Sequence, residues 1–215
     1  MNALQSLQKI LSGGVIAIMR APSAAQLLDA AKAIYEGGVD VIEVTMTTPG
    51  ALSVVEQAVS QFGEKVLFGA GSVLDPETAR LAILAGAQFV VSPTLNLDTI
   101  EMCKRYSVPV IPGAYTPTEI LTAWEHGADI VKVFPASVGG PAYIKAIKAP
   151  LPQVRLAAVG GVTVENTAQF FSAGIDVVGV GAELVNARLL ESGAFDEITR
   201  RARAFRQEVE KARGR

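Results

Sequence analysis

The sequence predicts an α/β protein, a (β/α)8 TIM barrel with an extra N-terminal helix. Three observations lead there. One phrase recurs, a glycine that closes a helix followed by a short apolar strand, at residues 37–44, 86–92, 127–133 and 174–180. Four more strand-like runs, 15–19, 66–70, 108–112 and 154–158, fall between these copies, and helical patterns separate them. Half of the 215 residues are hydrophobic and only 19% are charged, which suits strands covered on both faces. Eight strands alternating with eight helices imply a parallel sheet, and eight units close most simply into a barrel.

Taken in order, residues 1–11 form an amphipathic helix with Leu4, Leu7 and Leu11 on one face. This start lacks the basic segment and continuous apolar core of a signal peptide. The first strand, Val15–Met19, ends at Arg20. Helices are expected at 23–36, 50–62, 76–85, 97–106, 116–126, 141–148, 164–173 and 195–212. An open doubly wound sheet is the alternative, but no glycine-rich dinucleotide fingerprint follows the first strand. Without a linker or low-complexity stretch, residues 1–215 read as one domain.

Composition excludes several functions. No apolar run approaches the roughly 18 residues of a membrane span. A net charge of −2 gives no general attraction to nucleic acid. The basic tail (Arg200, Arg201, Arg203, Arg206, Lys211, Arg213 and Arg215) is interleaved with Glu208 and Glu210, so it reads as a solvated helix face. Cys103 is the only cysteine, so an internal disulfide cannot form, and its helical context makes it a small core residue. His126 is the only histidine and precedes Gly127 at a helix C-terminus. One His and one Cys cannot build a His- or Cys-rich zinc site, while plentiful carboxylates leave magnesium open. With no address signal visible, the cytoplasm is the expected compartment.

The most informative residue is Lys132, an amine inside the apolar strand Ile130-Val131-Lys132-Val133-Phe134. Burial lowers a lysine pKa, and a neutral amine attacks carbonyls. The alternative is a strand-end lysine reaching solvent. Glu43 sits in the second strand, between Val41 and Thr45 on the same face. Lys132 shares its face with Ile130 and Phe134. If both faces point inward, Glu43, Lys132 and Arg20 converge at the barrel mouth, where βα loops build active sites. Strand-ending signals at Pro93, Pro112-Gly113 and Pro135 mark that mouth. Arg155 opens its strand and belongs at the opposite face. An amine that forms an imine, a carboxyl that relays protons and a guanidinium that holds a carboxylate fit an aldolase acting on a 2-keto acid. Gly160-Gly161 and Gly179-Val180-Gly181 close the last two strands, where many barrels bind phosphate. The competing readings are a sugar-phosphate isomerase or synthase, with Lys132 purely electrostatic, and a non-catalytic barrel.

The segments Ile42-Glu43-Val44-Thr45-Met46-Thr47-Thr48-Pro49-Gly50, Gly69-Ala70-Gly71-Ser72-Val73-Leu74-Asp75, Ile111-Pro112-Gly113 and Val131-Lys132-Val133-Phe134-Pro135-Ala136 are the most specific parts of a family resemblance that covers nearly the whole chain. With these, and with Val15–Arg20 and residues 178–181, the chain resembles the 2-keto-3-deoxy-6-phosphogluconate (KDPG) and 4-hydroxy-2-oxoglutarate (KHG) aldolases. The resemblance implies a trimeric class I aldolase without metal or cofactor, whose partners are pyruvate and an aldehyde. It implies the imine at Lys132 and the proton relay at Glu43. It implies substrate contacts at Arg20, Thr45, Thr47, Ser72, Pro93 and Phe134, and at Gly160, Gly161, Gly181 and Ala182 around the far end. The chain departs from the family pattern in three places. Thr47 stands where some members carry the carboxylate-binding arginine, a role that Arg20 would take. Val159 and Ala182 stand where threonine and serine are frequent. Glu183 then adds a negative charge beside the expected phosphate.

Overall fold

The computed structural model describes residues 1–20 and 23–214. Its strands are β1 Val15–Met19, β2 Val41–Thr45, β3 Leu67–Gly71, β4 Val90–Val91, β5 Val110–Ile111, β6 Gly113–Ala114, β7 Val131–Val133, β8 Leu156–Val159 and β9 Val177–Val180. The helices are α1 Ala3–Gly13, α2 Ala24–Glu36, α3 Ala51–Phe62, α4 Pro76–Leu84, α5 Leu97–Arg105, α6 Pro117–Glu125, α7 Ala136–Lys148, α8 Val164–Ser172, α9 Ala187–Glu191 and α10 Phe195–Ala212. All pairings are parallel, in the order β5-β4-β3-β2-β1-β9-β8-β7-β6. The two ends of that series are one piece of chain. Pro112 has no N–H for the ladder, so it splits the fifth stave into β5, which pairs with β4, and β6, which pairs with β7. The Pro112 carbonyl still accepts from Lys132 N–H at 2.9 Å, and the eight-stave ring closes through it.

Strand alternation sorts the apolar residues into two cores. Val15, Ala17, Ile42, Val44, Phe68, Val131 and Val133 face the surrounding helices. Ile16, Val41, Leu67, Phe89, Val91, Ile111, Ile130, Ala157 and Val177 fill the barrel. The N-terminal helix closes the floor, started by a capping box between Asn2 and Gln5 and ended at left-handed Gly14. It seats Ile10, Leu7 and Leu11 against the inner core. Leu4, expected on that face, is 63% exposed, because its turn lies beyond the part of the helix that enters the floor. Lys9 holds the helix down by donating to the carbonyls of Glu64 and Lys65 at 3.0 and 2.7 Å.

Helix starts follow their caps: Ser23, Asp75, Asn96, Thr116 and Thr163 each accept from a backbone N–H in the first turn. Two helical segments differ from expectation. Residues 136–139 form a turn that continues into the 141–148 helix across Gly140 (φ 63, ψ −168). The five-residue α9, capped by Asn186, is too short for a periodic signal. The α10 face is only partly a solvated one. Glu197 pairs with Arg200 and Arg201, Arg206 with Glu210, and Lys211 with Glu208. But Arg206 also donates to the Gly13 carbonyl, and Arg213 to those of Ser12 and Asp176, tying the tail to the floor. Arg215 lies outside the described residues. Arg155 is exposed at the start of β8, over the Trp124 ring. Among the described residues no helix is long and apolar enough to cross a membrane.

Candidate active site

Glu43 follows Val41 by two residues on β2, and Lys132 follows Ile130 by two on β7, so both take the inner face set by the barrel core. Glu43 is 3% exposed and Lys132 6%. Burial pushes the Glu43 carboxyl above the usual range, while Lys132 and then Arg20 pull it back. Burial pushes the Lys132 amine below its usual range, with Glu43 opposing and Arg20 reinforcing the shift. Each charged form lacks the water that would stabilise it, so both groups move toward neutrality. The Lys132 Nζ lies 4.8 Å from the centre of the Phe134 ring, which stands at the mouth.

Two strand glycines allow close approaches here, one to Glu43 itself and one to the chain beside Lys132. A Cβ at Gly71 would lie 1.7 Å from Glu43 Oε1, so the carboxyl occupies the space that a side chain would fill. Gly113, in register with Lys132, would place a Cβ 2.3 Å from the Pro93 backbone. Neither stood out among the expected site residues, although a strand glycine is a general sign of close approach. Gly71→Ala is expected to displace the carboxyl and lower turnover by about 10²-fold, the usual effect of a misplaced catalytic group. Steady-state kinetics of the variant test this; turnover within a few-fold of wild type would show that Glu43 acts from elsewhere.

Arg20, Phe134, Gly160, Gly161, Gly181 and Ala182 line one cleft of about 270 Å³ at the C-terminal ends of β1, β7, β8 and β9. Ile18, Val159, Val162, Gly179 and Glu183 complete its walls. Thr45, Thr47, Ser72 and Pro93 stand at or just beyond the ends of β2, β3 and β4, across the mouth from that cleft. Thr45 is fully buried and shares its hydroxyl with Thr47 at 2.9 Å and Thr48 at 3.4 Å. Ser72 takes a left-handed backbone, φ 58. A larger open depression lined by Gln8, Leu11, Ser12 and Arg213 lies against α1, away from this chemistry. Cys103 is fully buried, and burial pushes its thiol up to about 12, so it is no nucleophile.

The model of the family "KDPG and KHG aldolase" matches residues 7–201. The chain belongs to this family. Among curated aldolases it is 36% identical to the 2-dehydro-3-deoxy-6-phosphogalactonate aldolase of Escherichia coli (strain K12), covering 91% of this chain and 96% of that protein. The KDPG aldolase of Legionella pneumophila, solved with pyruvate captured as a covalent carbinolamine, superposes with a TM-score of 0.87 at 28% identity, over 94% of this chain and 98% of that one. A cube-shaped cage designed by fusing symmetric oligomeric domains matches with a TM-score of 0.88 at 35% identity, over 94% of this chain and 73% of that one. The protein is thus an aldolase, and so a lyase, of the Schiff-base class I type.

Proposed function

We propose that this aldolase cleaves a 2-keto-3-deoxy sugar acid, or 4-hydroxy-2-oxoglutarate, reversibly to pyruvate and an aldehyde, through an imine on Lys132. The observation that carries this assignment is the buried Lys132 amine, pushed toward its neutral form on the same inner barrel surface as Glu43. The neutral amine adds to C2 of the keto acid, and water leaves after Glu43 donates a proton to the carbinolamine oxygen. The resulting iminium draws electrons from the C3–C4 bond as Glu43 removes the C4 hydroxyl proton. The aldehyde departs, and the enamine takes up a proton at C3. Hydrolysis then releases pyruvate and restores the amine. A carboxyl raised toward neutral pH suits this alternation of donor and acceptor. Arg20 holds the keto-acid carboxylate, leaving the aldehyde portion to the rest of the cleft at the ends of β7, β8 and β9. The Legionella aldolase with bound pyruvate supports this reading.

A lactate dehydrogenase-coupled assay tests the substrate class. Pyruvate should be released from 2-keto-3-deoxygluconate or its galactonate epimer, from their 6-phosphates, or from 4-hydroxy-2-oxoglutarate; no release from any of these would contradict the assignment. The assembly we assign is a homotrimer. Leu74, Leu81, Leu84, Leu97 and Tyr106 are exposed on or beside the neighbouring helices α4 and α5, a patch suited to burial between copies. The likeness to oligomeric domains of the designed cage supports it. Light scattering should give three times the chain mass of 22.5 kDa; a monomeric mass would contradict it. The cytoplasm remains the assigned compartment, since a chain with one cysteine needs no oxidising environment to fold.

A further inference from the structure

The far half of the cleft has a charge pattern that chemistry at Lys132 does not require. Ile18 and Val159 make its walls apolar, and Gly160 and Gly161, both left-handed (φ +92 and +74), line it with backbone. Among the described residues lining it there is no hydroxyl, and Arg20 and Glu183 are the only ionised side chains. Ser137 packs against Gly161 but is not part of the lining.

We propose that this end of the cleft takes an uncharged, hydroxylated tail, so that the preferred substrate is an unphosphorylated 2-keto-3-deoxy acid, with Ala182 and Glu183 as the specificity-determining positions. This rests on the aldolase reading, in which Arg20 is already engaged by the substrate carboxylate. A phosphate monoester would bring a charge of about −1.5 to −2 to a site whose one remaining ionised group is a carboxylate. Anions of that kind are held by charge-assisted donors, and Ala182 supplies none. A sugar hydroxyl faces no such penalty. It can donate to the Glu183 carboxylate and accept from backbone N–H groups at the glycine-rich strand ends. Glu183 is exposed, so solvent screens it and its effect is moderate.

The test compares kcat/KM for 2-keto-3-deoxygluconate and its 6-phosphate, or for the galactonate pair if that is the pair cleaved, on wild type and on Ala182→Ser/Glu183→Ala. Wild type should favour the free acid in kcat/KM. The double variant should move the ratio toward the phosphate by about tenfold or more, through a lower KM for the phosphate and a higher KM for the free acid. A wild-type preference for the phosphate, or an unmoved ratio in the variant, overturns the inference. Trapping of pyruvate on Lys132 by borohydride is measured alongside. Trapping combined with either contrary result defeats the specificity claim alone, whereas failure to trap defeats the aldolase reading and this inference together.

Discussion

Lys132→Ala is expected to lose aldol cleavage by about 10⁴-fold or more while the protein stays folded, because no other group can replace a covalent nucleophile. The side chain removed is buried on the inner barrel face, beside Ala157 on β8 and Gly113 on β6. Its backbone N–H bond to the Pro112 carbonyl is untouched by the substitution, so closure of the barrel does not depend on the amine. Lys132→Met keeps the volume and should be equally inactive, which separates loss of the amine from loss of packing. Pyruvate release and circular dichroism on both variants check this. Folded variants with activity within tenfold of wild type would remove Lys132 from the chemistry.

Glu43→Gln should slow turnover by about 10²–10⁴-fold, the usual contribution of a positioned acid–base group, with substrate binding largely kept. It should also move a pH limb in a definite direction. Imine formation needs the neutral amine, so its rate falls as pH drops through the Lys132 pKa. Burial already holds that pKa below the ordinary lysine value, and the Glu43 carboxylate is the influence that raises it. Removing the carboxylate's charge therefore lowers the Lys132 pKa further and shifts the acid limb to lower pH. The pH dependence of pyruvate trapping by borohydride, on wild type and variant, reads this shift. Turnover within a few-fold of wild type would mean that another group relays the proton, and an upward shift would mean that the Glu43 carboxylate is not what raises the Lys132 pKa.

The parts of this architecture that were legible in the sequence are those governed by short-range rules. Glycine-then-strand phrases fall where helices end and staves begin, since a left-handed Gly38, Gly86, Gly127 and Gly174 each follow a helix. Two-residue alternation puts Glu43 above Val41 and Lys132 above Ile130 because the inner face of the barrel is continuous along each strand. What escaped depends on residues far apart in sequence. The room that Gly71 gives Glu43 arises between neighbouring staves, and the contact of Gly113 with Pro93 lies across β4 and β6. The split at Pro112 could be read as a strand end, but not as one stave serving two neighbours. Leu4 fits the apolar face of its helix, and only the depth at which α1 enters the floor decides that it stays exposed.

Every role assigned to the other site residues depends on an imine between pyruvate and Lys132. Incubation with pyruvate and borohydride, followed by digestion and peptide mass mapping, tests it most directly. One reduced pyruvyl adduct per chain is expected, on the peptide containing Val131-Lys132-Val133, with loss of activity in step with labelling. An adduct on another lysine, or no adduct while pyruvate release continues, would contradict it.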